Sequence, residues 1–138
     1  MPQFQGRLIN HIHLRVRDLE RSKAFYRAVL ESIGLGTTLE EGEGYFCADE
    51  LYVDRADDYV SRVHLAFQAP TPDAVVRFHD AAIAAGGTDN GAPGQRSYHS
   101  HYFAAFVLDP DGNNVEAICE EPTRRSTDAV VVERLPKR

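Results

Sequence analysis

Cysteine is scarce, membrane-length apolar runs are missing, and positive charge is in the minority. Only Cys47 and Cys119 occur in 138 residues. They form no CxxC pair and no disulfide-framework spacing. Both fall in apolar, strand-like runs, so buried free thiols in a reducing cytosol are expected. No apolar stretch approaches the roughly 18 residues of a membrane span. No basic-then-apolar segment opens the chain, so secretion is not expected and a cytoplasmic location is. The net charge of −6 and pI near 5.4 leave no basic footprint for nucleic acid. The cluster Arg124, Arg125, Arg134, Lys137 and Arg138 reads as a solvated tail. Low-complexity sequence is also missing. What remains is 43% hydrophobic and 26% charged, enough apolar chain for a core without staples.

A repeat is present. Sliding the chain by 53 positions (64 − 11) lays His11 on His64, Phe25 on Phe78, Ala28 on Ala81, Leu30 on Ile83 and Gly34 on Gly87. A strand opening with His, a helix carrying Phe and a Gly stop therefore occur twice, and such self-similarity indicates two copies of one supersecondary unit. The expected organisation is a single domain over 1–122, with module one at about 7–58 and module two at about 59–121. A tail over 123–138 follows, with a possible extra strand.

In residues 8–17, Ile12, Leu14 and Val16 share one face; His11, His13, Arg15 and Arg17 share the other. Asp18 is placed to cap a helix whose stripe runs through Leu19, Ser22, Phe25, Tyr26, Val29, Leu30 and Ile33. Strands are expected near Thr37–Glu40, Tyr45–Ala48 and Leu51–Asp54. The second unit opens at Arg62–Gln68, and Thr71-Pro72 gives a cap followed by Pro at the first helical position. Val75, Phe78, Ala82 and Ala85 form its buried stripe. The Gly-, Pro-, Ser- and His-rich stretch Thr88–Ser100 reads as a loop. A strand at Tyr102–Leu108 then leads through Asp109-Pro110-Asp111-Gly112, strong turn chemistry, into a return strand at Asn113–Cys119. Ala129–Val132 reads as an edge strand or a partner-binding arm.

Each unit thus reads βαβββ: an α+β fold of two tandem modules whose strands curve, half-open, around a polar trough. One face of each sheet covers its helix and the other carries His, Arg, Gln and Glu. A Glu in mid-strand is costly to bury alone, and a divalent cation offsets that cost. Two imidazoles and one carboxylate, here His11, His64 and Glu116, suit a metal with open positions. His13 shares a face with His11 and is a rival ligand; the 53-residue offset ranks it as pocket-lining. His99 and His101 are loop ligands, substrate contacts or simply exposed. His79, on the second helix, reads as structural.

At this point the chain resembles the vicinal-oxygen-chelate superfamily, which includes glyoxalase I, bleomycin- and fosfomycin-resistance proteins, extradiol dioxygenases and methylmalonyl-CoA epimerase. The likeness lies in Asn10-His11-Ile12-His13-Leu14-Arg15-Val16, in Asp18-Leu19-Glu20-Arg21-Ser22-Lys23-Ala24-Phe25-Tyr26 and in Val63-His64-Leu65-Ala66-Phe67. It closes with Phe106-Val107-Leu108-Asp109-Pro110-Asp111-Gly112-Asn113-Asn114-Val115-Glu116-Ala117. It implies paired βαβββ units around a metal held by His11, His64 and Glu116, and a metal-dependent lyase, isomerase or dioxygenase acting on a small molecule with adjacent oxygens. Lactoylglutathione-lyase-like chemistry is one form of that activity. The implied cofactor is a divalent ion (Zn, Fe, Mn or Ni), with His13, Tyr102, His99 and His101 as pocket candidates for catalysis. A homodimer is implied, in which His11 either serves its own chain or reaches the partner's metal. Glyoxalase I resembles a four-ligand case, for which Glu50 or Asp54 is the candidate here. Arg96, Ser100 and Arg125 resemble parts of an anion site. The rival reading is a metal-free, drug-sequestering protein of the bleomycin-resistance type.

Overall fold

The computed structural model describes residues 2–137. Its elements run β1 (Ile12–Val16), α1 (Leu19–Ser32), β2 (Leu39–Gly42), β3 (Tyr45–Ala48), β4 (Leu51–Arg55), β5 (His64–Gln68), α2 (Pro72–Ala84), β6 (Thr88–Gln95), β7 (Phe103–Leu108) and β8 (Asn114–Cys119). These are the two βαβββ modules, hydrogen-bonded as two four-stranded mixed sheets of order β1-β4-β3-β2 and β5-β8-β7-β6. In each module the first strand lies parallel to the last, and the other pairings are antiparallel.

Both helices begin where their caps dictate. The Asp18 side chain accepts from Arg21 N at 3.1 Å, and Thr71 Oγ1 accepts from Ala74 N at 3.1 Å. Each cap contributes about 1 kcal/mol by satisfying a backbone N–H that the helix cannot. The α1 stripe buries Ser22, Phe25, Tyr26, Val29 and Leu30; that of α2 buries Ala74, Val75, Phe78 and Ala82. Both meet the apolar faces of the sheets, Leu14, Val16 and Val53 in one and Val107, Val115 and Ala117 in the other, in one continuous core. The opposite faces are left to polar and aromatic side chains.

Four local expectations need correction. Gly36–Thr38 forms a turn of 3-10 helix, so β2 starts at Leu39 and not at Thr37. Thr88–Gln95 is a strand, not a loop. It lies at a sheet edge, and its register slips between Asp89 and Gly91 and between Gly91 and Gly94. An edge or a bulge tolerates Pro93, which has no N–H to donate. Cys47 is free but only half-buried, because it alternates onto the open face of its sheet. Ala129–Val132 pairs with no strand among the described residues. Arg125 fastens the tail through its guanidinium to Gln5 and Gln68, and Val131 beyond it is 82% exposed.

Candidate metal centre

The Asp109-Pro110-Asp111-Gly112 turn fixes the second sheet. Asp109 Oδ1 accepts the backbone N–H of Asp111 at 2.9 Å and of Asn113 at 2.8 Å. Its Oδ2 accepts the Tyr26 hydroxyl at 2.6 Å and Asn113 Nδ2 at 2.9 Å. Burial, chiefly, and then the Asp109 carboxylate push the Tyr26 phenol well above its ordinary range. Asn113 Oδ1 in turn accepts Val63 N at 2.8 Å, and Asn114 N donates to Val63 O at 2.9 Å. One buried carboxylate thus ties α1, the hairpin turn and the start of β5 together. This sets His64 and Glu116 on neighbouring strands and on the same open face.

On that face Glu116 stands between Ala66 of β5 and Phe106 of β7. Its side chain is 2% exposed, and no Lys or Arg pairs with it among the described residues. Oε2 meets His64 Nε2 at 2.8 Å, and Oε1 accepts the Tyr102 hydroxyl at 2.5 Å. Desolvation first, then the Glu116 hydrogen bond, raise the Tyr102 phenol out of its ordinary range. His64 is half-exposed, so the pair is reached from solvent through the imidazole. Beside it is a pocket of about 350 Å³ lined by His64, Asn90, Arg96, Tyr98, Phe106 and Asn114.

Arg96 is fixed along the edge of that pocket. Its guanidinium donates to Ala92 O at 2.7 Å and lies 5.4 Å from the Phe106 ring centre. Gly91, at φ +154°, makes room: a Cβ there would meet Phe106 at 2.9 Å and Arg96 Nη2 at 3.3 Å. No carboxylate pairs with Arg96 among the described residues. A larger groove of about 730 Å³ lies along α1 and α2, half of its lining alanine (Ala28, Ala81, Ala84, Ala85) and the rest including Glu31, Arg77 and Asp80. It gathers no His or buried carboxylate, whereas His64 lines the smaller pocket.

The remaining candidates fall elsewhere. His11 precedes β1 instead of lying in it; it is exposed, and Asn10 Oδ1 meets its Nδ1 at 2.8 Å. His11 does not join His64 and Glu116 within one chain, and no group of three or more His, Cys, Asp or Glu able to hold an ion forms among the described residues. His13 lies on the open face of the first sheet, with Nε2 2.8 Å from Asp54 Oδ1 and its ring edge-on to Tyr52 at 4.9 Å. Arg15 Nε also reaches Asp54, at 3.3 Å. The guanidinium is raised chiefly by its hydrogen bond to Asp57, with Asp54 adding and partial desolvation opposing. His99 Nε2 lies 3.3 Å from Glu120 Oε1, and His101 is exposed. His79 Nε2 meets Asp89 Oδ1 at 2.8 Å and joins α2 to β6, a structural role.

For a fourth carboxylate, neither Glu50 nor Asp54 stands in the matching place. Ile12 pairs with Leu51 and Leu65 with Val115, so overlaying β1 on β5 puts Tyr52 where Glu116 stands. Glu50 is exposed before β4, and Asp54 is engaged by His13 and Arg15. Sequence reasoning missed Asn114, though its alternation with Glu116 marked it as an open-face residue, and Asn90, hidden in a stretch read as loop.

The donor set fits a divalent cation in part: a buried carboxylate with no Lys or Arg partner among the described residues, beside an imidazole open to solvent, is two-thirds of a three-donor site. No helix among the described residues is long and apolar enough to cross a membrane. Residues 8–117 match the sequence profile of the Glyoxalase/Bleomycin resistance protein/Dioxygenase superfamily. Among solved structures, a glyoxalase/bleomycin resistance protein from Albidiferax ferrireducens T118 is 28% identical, with TM-score 0.68, over 81% of this chain and 98% of that one. A glyoxalase-related enzyme from Fulvimarina pelagi (19% identity, TM-score 0.68, 94% and 100% covered) shares the fold. So does a genomically encoded fosfomycin resistance protein from Listeria monocytogenes (21%, 0.59, 85% and 94%). No curated protein matches the chain. A profile spanning most of the chain, over two βαβββ modules that carry the matching motifs, makes this protein a member of the Glyoxalase/Bleomycin resistance protein/Dioxygenase superfamily.

Proposed function

We propose that the chain is a metal-dependent enzyme acting on a small molecule that presents adjacent oxygens, and that two copies share each site. The observation that carries this is the buried Glu116, which has no Lys or Arg partner among the described residues and faces His64 at 2.8 Å. An ionised carboxylate in that setting is stabilised by a cation held with the imidazole. Zn, Fe, Mn or Ni is compatible with such donors. The third donor is His11, supplied by the second copy of a homodimer. His11 directly precedes β1, in the other sheet from Glu116, and no three-donor group forms within one chain among the described residues. A cation so placed supplies Lewis-acid stabilisation of negative charge on the substrate oxygens.

The chain's own residues do the rest. Arg96, with no carboxylate partner among the described residues, binds an anionic end of the substrate, and Asn90 and Asn114 hydrogen-bond neighbouring oxygens. Phe106 and Tyr98 exclude water from one side. His13, oriented by Asp54 and brought with His11 by the second copy, is the candidate for proton transfer; His99 and His101 follow Tyr98, which lines the pocket, in the loop before β7.

Subunit mixing tests the reading. His11→Ala and His64→Ala proteins each bind little metal alone. Unfolded together and refolded, they recover about a quarter of the wild-type sites, because half the dimers are mixed and each mixed dimer holds one intact site. Recovery of none, with each variant folded, places all three donors in one chain or dismisses His11. No uptake by untagged wild-type protein rejects the metal and leaves the sequestering protein of the bleomycin-resistance type.

A further inference from the structure

Both oxygens of Glu116 are engaged, and the two partners differ in kind. Oε2 faces the His64 imidazole, while Oε1 accepts from the Tyr102 hydroxyl. At 2.5 Å that contact lies in the range of an O–H donor on a charged acceptor.

The segment leading into β7 is arranged to deliver this hydroxyl. His101 takes φ +64°, a left-handed turn that histidine adopts more readily than most residues, and swings the next residue inward. Arg96 N donates to Tyr102 O at 2.7 Å, closing the base of the loop. His99 lies against Glu120 at 3.3 Å and pins its middle. The rings of Tyr98 and His99 meet Tyr102 edge-on, with centroids at 5.0 and 4.8 Å. The hydroxyl thus reaches a carboxylate whose side chain is 2% exposed.

We propose that Tyr102 is a positioning residue: its hydroxyl occupies Oε1 and commits Glu116 to donate to a cation through Oε2 alone. This rests on the metal reading above. A carboxylate free at both oxygens rotates and can chelate an ion with both, raising its coordination number. One held at its outer oxygen presents a single donor in a fixed direction. The groups that orient a ligand typically set metal affinity by 10–100-fold. Tyr102 therefore controls how tightly the ion is held and how many positions stay open for substrate.

The test uses the full chain with Tyr102→Phe, which keeps the ring and its edge contacts and removes the hydroxyl. Zn(II) affinity is measured by competition with a chromophoric chelator, and the visible bands of Co(II)-loaded protein report coordination. Circular dichroism confirms the fold. The expected result is Zn(II) binding weaker by about 10–100-fold and Co(II) bands weakened as a second carboxylate oxygen joins. Affinity within about twofold of wild type with unchanged Co(II) bands overturns the assignment while leaving the metal site standing. A loss of thermal stability with both metal readouts unchanged makes Tyr102 a structural clasp and also overturns it. Failure of the wild-type protein to bind either ion removes the metal reading and this inference together.

Discussion

Replacing Asp109 with Asn tests whether one buried side chain holds the two modules in register. The substitution changes almost no volume. It leaves an amide oxygen at Oδ1, where two backbone N–H groups donate. At Oδ2 it puts an NH₂ against two donors, the Tyr26 hydroxyl at 2.6 Å and Asn113 Nδ2 at 2.9 Å. The hydroxyl can rotate and accept. Asn113 cannot turn over without taking its Oδ1 from Val63 N, 2.8 Å away. At least one buried donor then faces another donor, and the two backbone bonds lose their charged acceptor. A hydrogen bond to a charged group contributes about 1.5–3 kcal/mol, and a stranded buried donor costs a similar amount, so a loss of about 3 kcal/mol is expected. With about 2.1 cal/mol/K of unfolding entropy per residue, a chain this long should melt about 10 °C lower. Thermal unfolding followed by circular dichroism measures this, and urea unfolding gives the free energy directly. Tyr26→Phe alone should cost about 2 kcal/mol, and in the Asp109→Asn background clearly less, since the bond it breaks is already lost. A fall of under about 3 °C, or strict additivity of the two substitutions, would refute the network as the joint between modules.

Two further outcomes follow from local geometry. Gly91→Ala adds a Cβ that would meet Phe106 at 2.9 Å, at a backbone φ of +154° that side chains avoid. It should destabilise β6 by about 2 kcal/mol, and amide exchange should quicken along β6 and not along β1; equal protection of both strands before and after would count against the packing described. Lys23 grips Glu41 at 2.6 Å and joins α1 to β2. That hydrogen bond is the main reason the Glu41 carboxyl is lowered from its ordinary value, so its contribution is present above the unfolded-state value and lost as pH falls through the folded one. Lys23→Met should therefore lower stability near neutral pH, with the two curves converging as pH drops below about 4; a constant gap in acid would assign the loss to packing.

What the sequence revealed depended on whether local pattern or tertiary context fixed each feature. Period-two alternation exposed the apolar faces of β1, β5 and β8, because a half-buried strand must alternate. The 53-residue match located both helices (64 − 11), yet its paired glycines answer to different needs. Gly34 takes φ +85° at the end of α1, a conformation supplied by Gly86 after α2. Gly87 instead lets Phe25 and Val107 approach where a Cβ would collide. Composition failed at β6, because Gly91, Pro93 and Gly94 have the chemistry of a loop and are tolerated only at the edge and bulges of a sheet. Glu116 and His64 were legible as an open-face pair since the turn fixes the register of β8. The Tyr102 contact was not. It depends on a left-handed His101 and a loop closed by Arg96, neither of which carries a periodic signal.

The polar faces bear on the proposed sharing of a site between two copies. Each sheet gives one side to the shared core, through Leu14 and Val53 in module one and Val107 and Val115 in module two. A helix covering one face leaves nothing in the same module to cover the other. The first sheet is then left with His13, Arg15, Tyr52 and Asp54, and the second with His64, Glu116, Phe106 and Asn114. Both sets are poor solvent-facing surfaces, one holding the Tyr45–Tyr52 stack at 5.2 Å and the other a carboxylate shielded from water. Setting the first sheet of one copy over the second sheet of another covers both at once. In the proposed dimer the same act brings a His11 to a His64–Glu116 pair. On the proposed reading, burial of the aromatic face and completion of the donor set are one event, so dimerisation and ion binding stabilise each other by mass action. On that reading a lone module offers at most two of the three donors, and the histidine at the head of each copy supplies the set only when two modules meet.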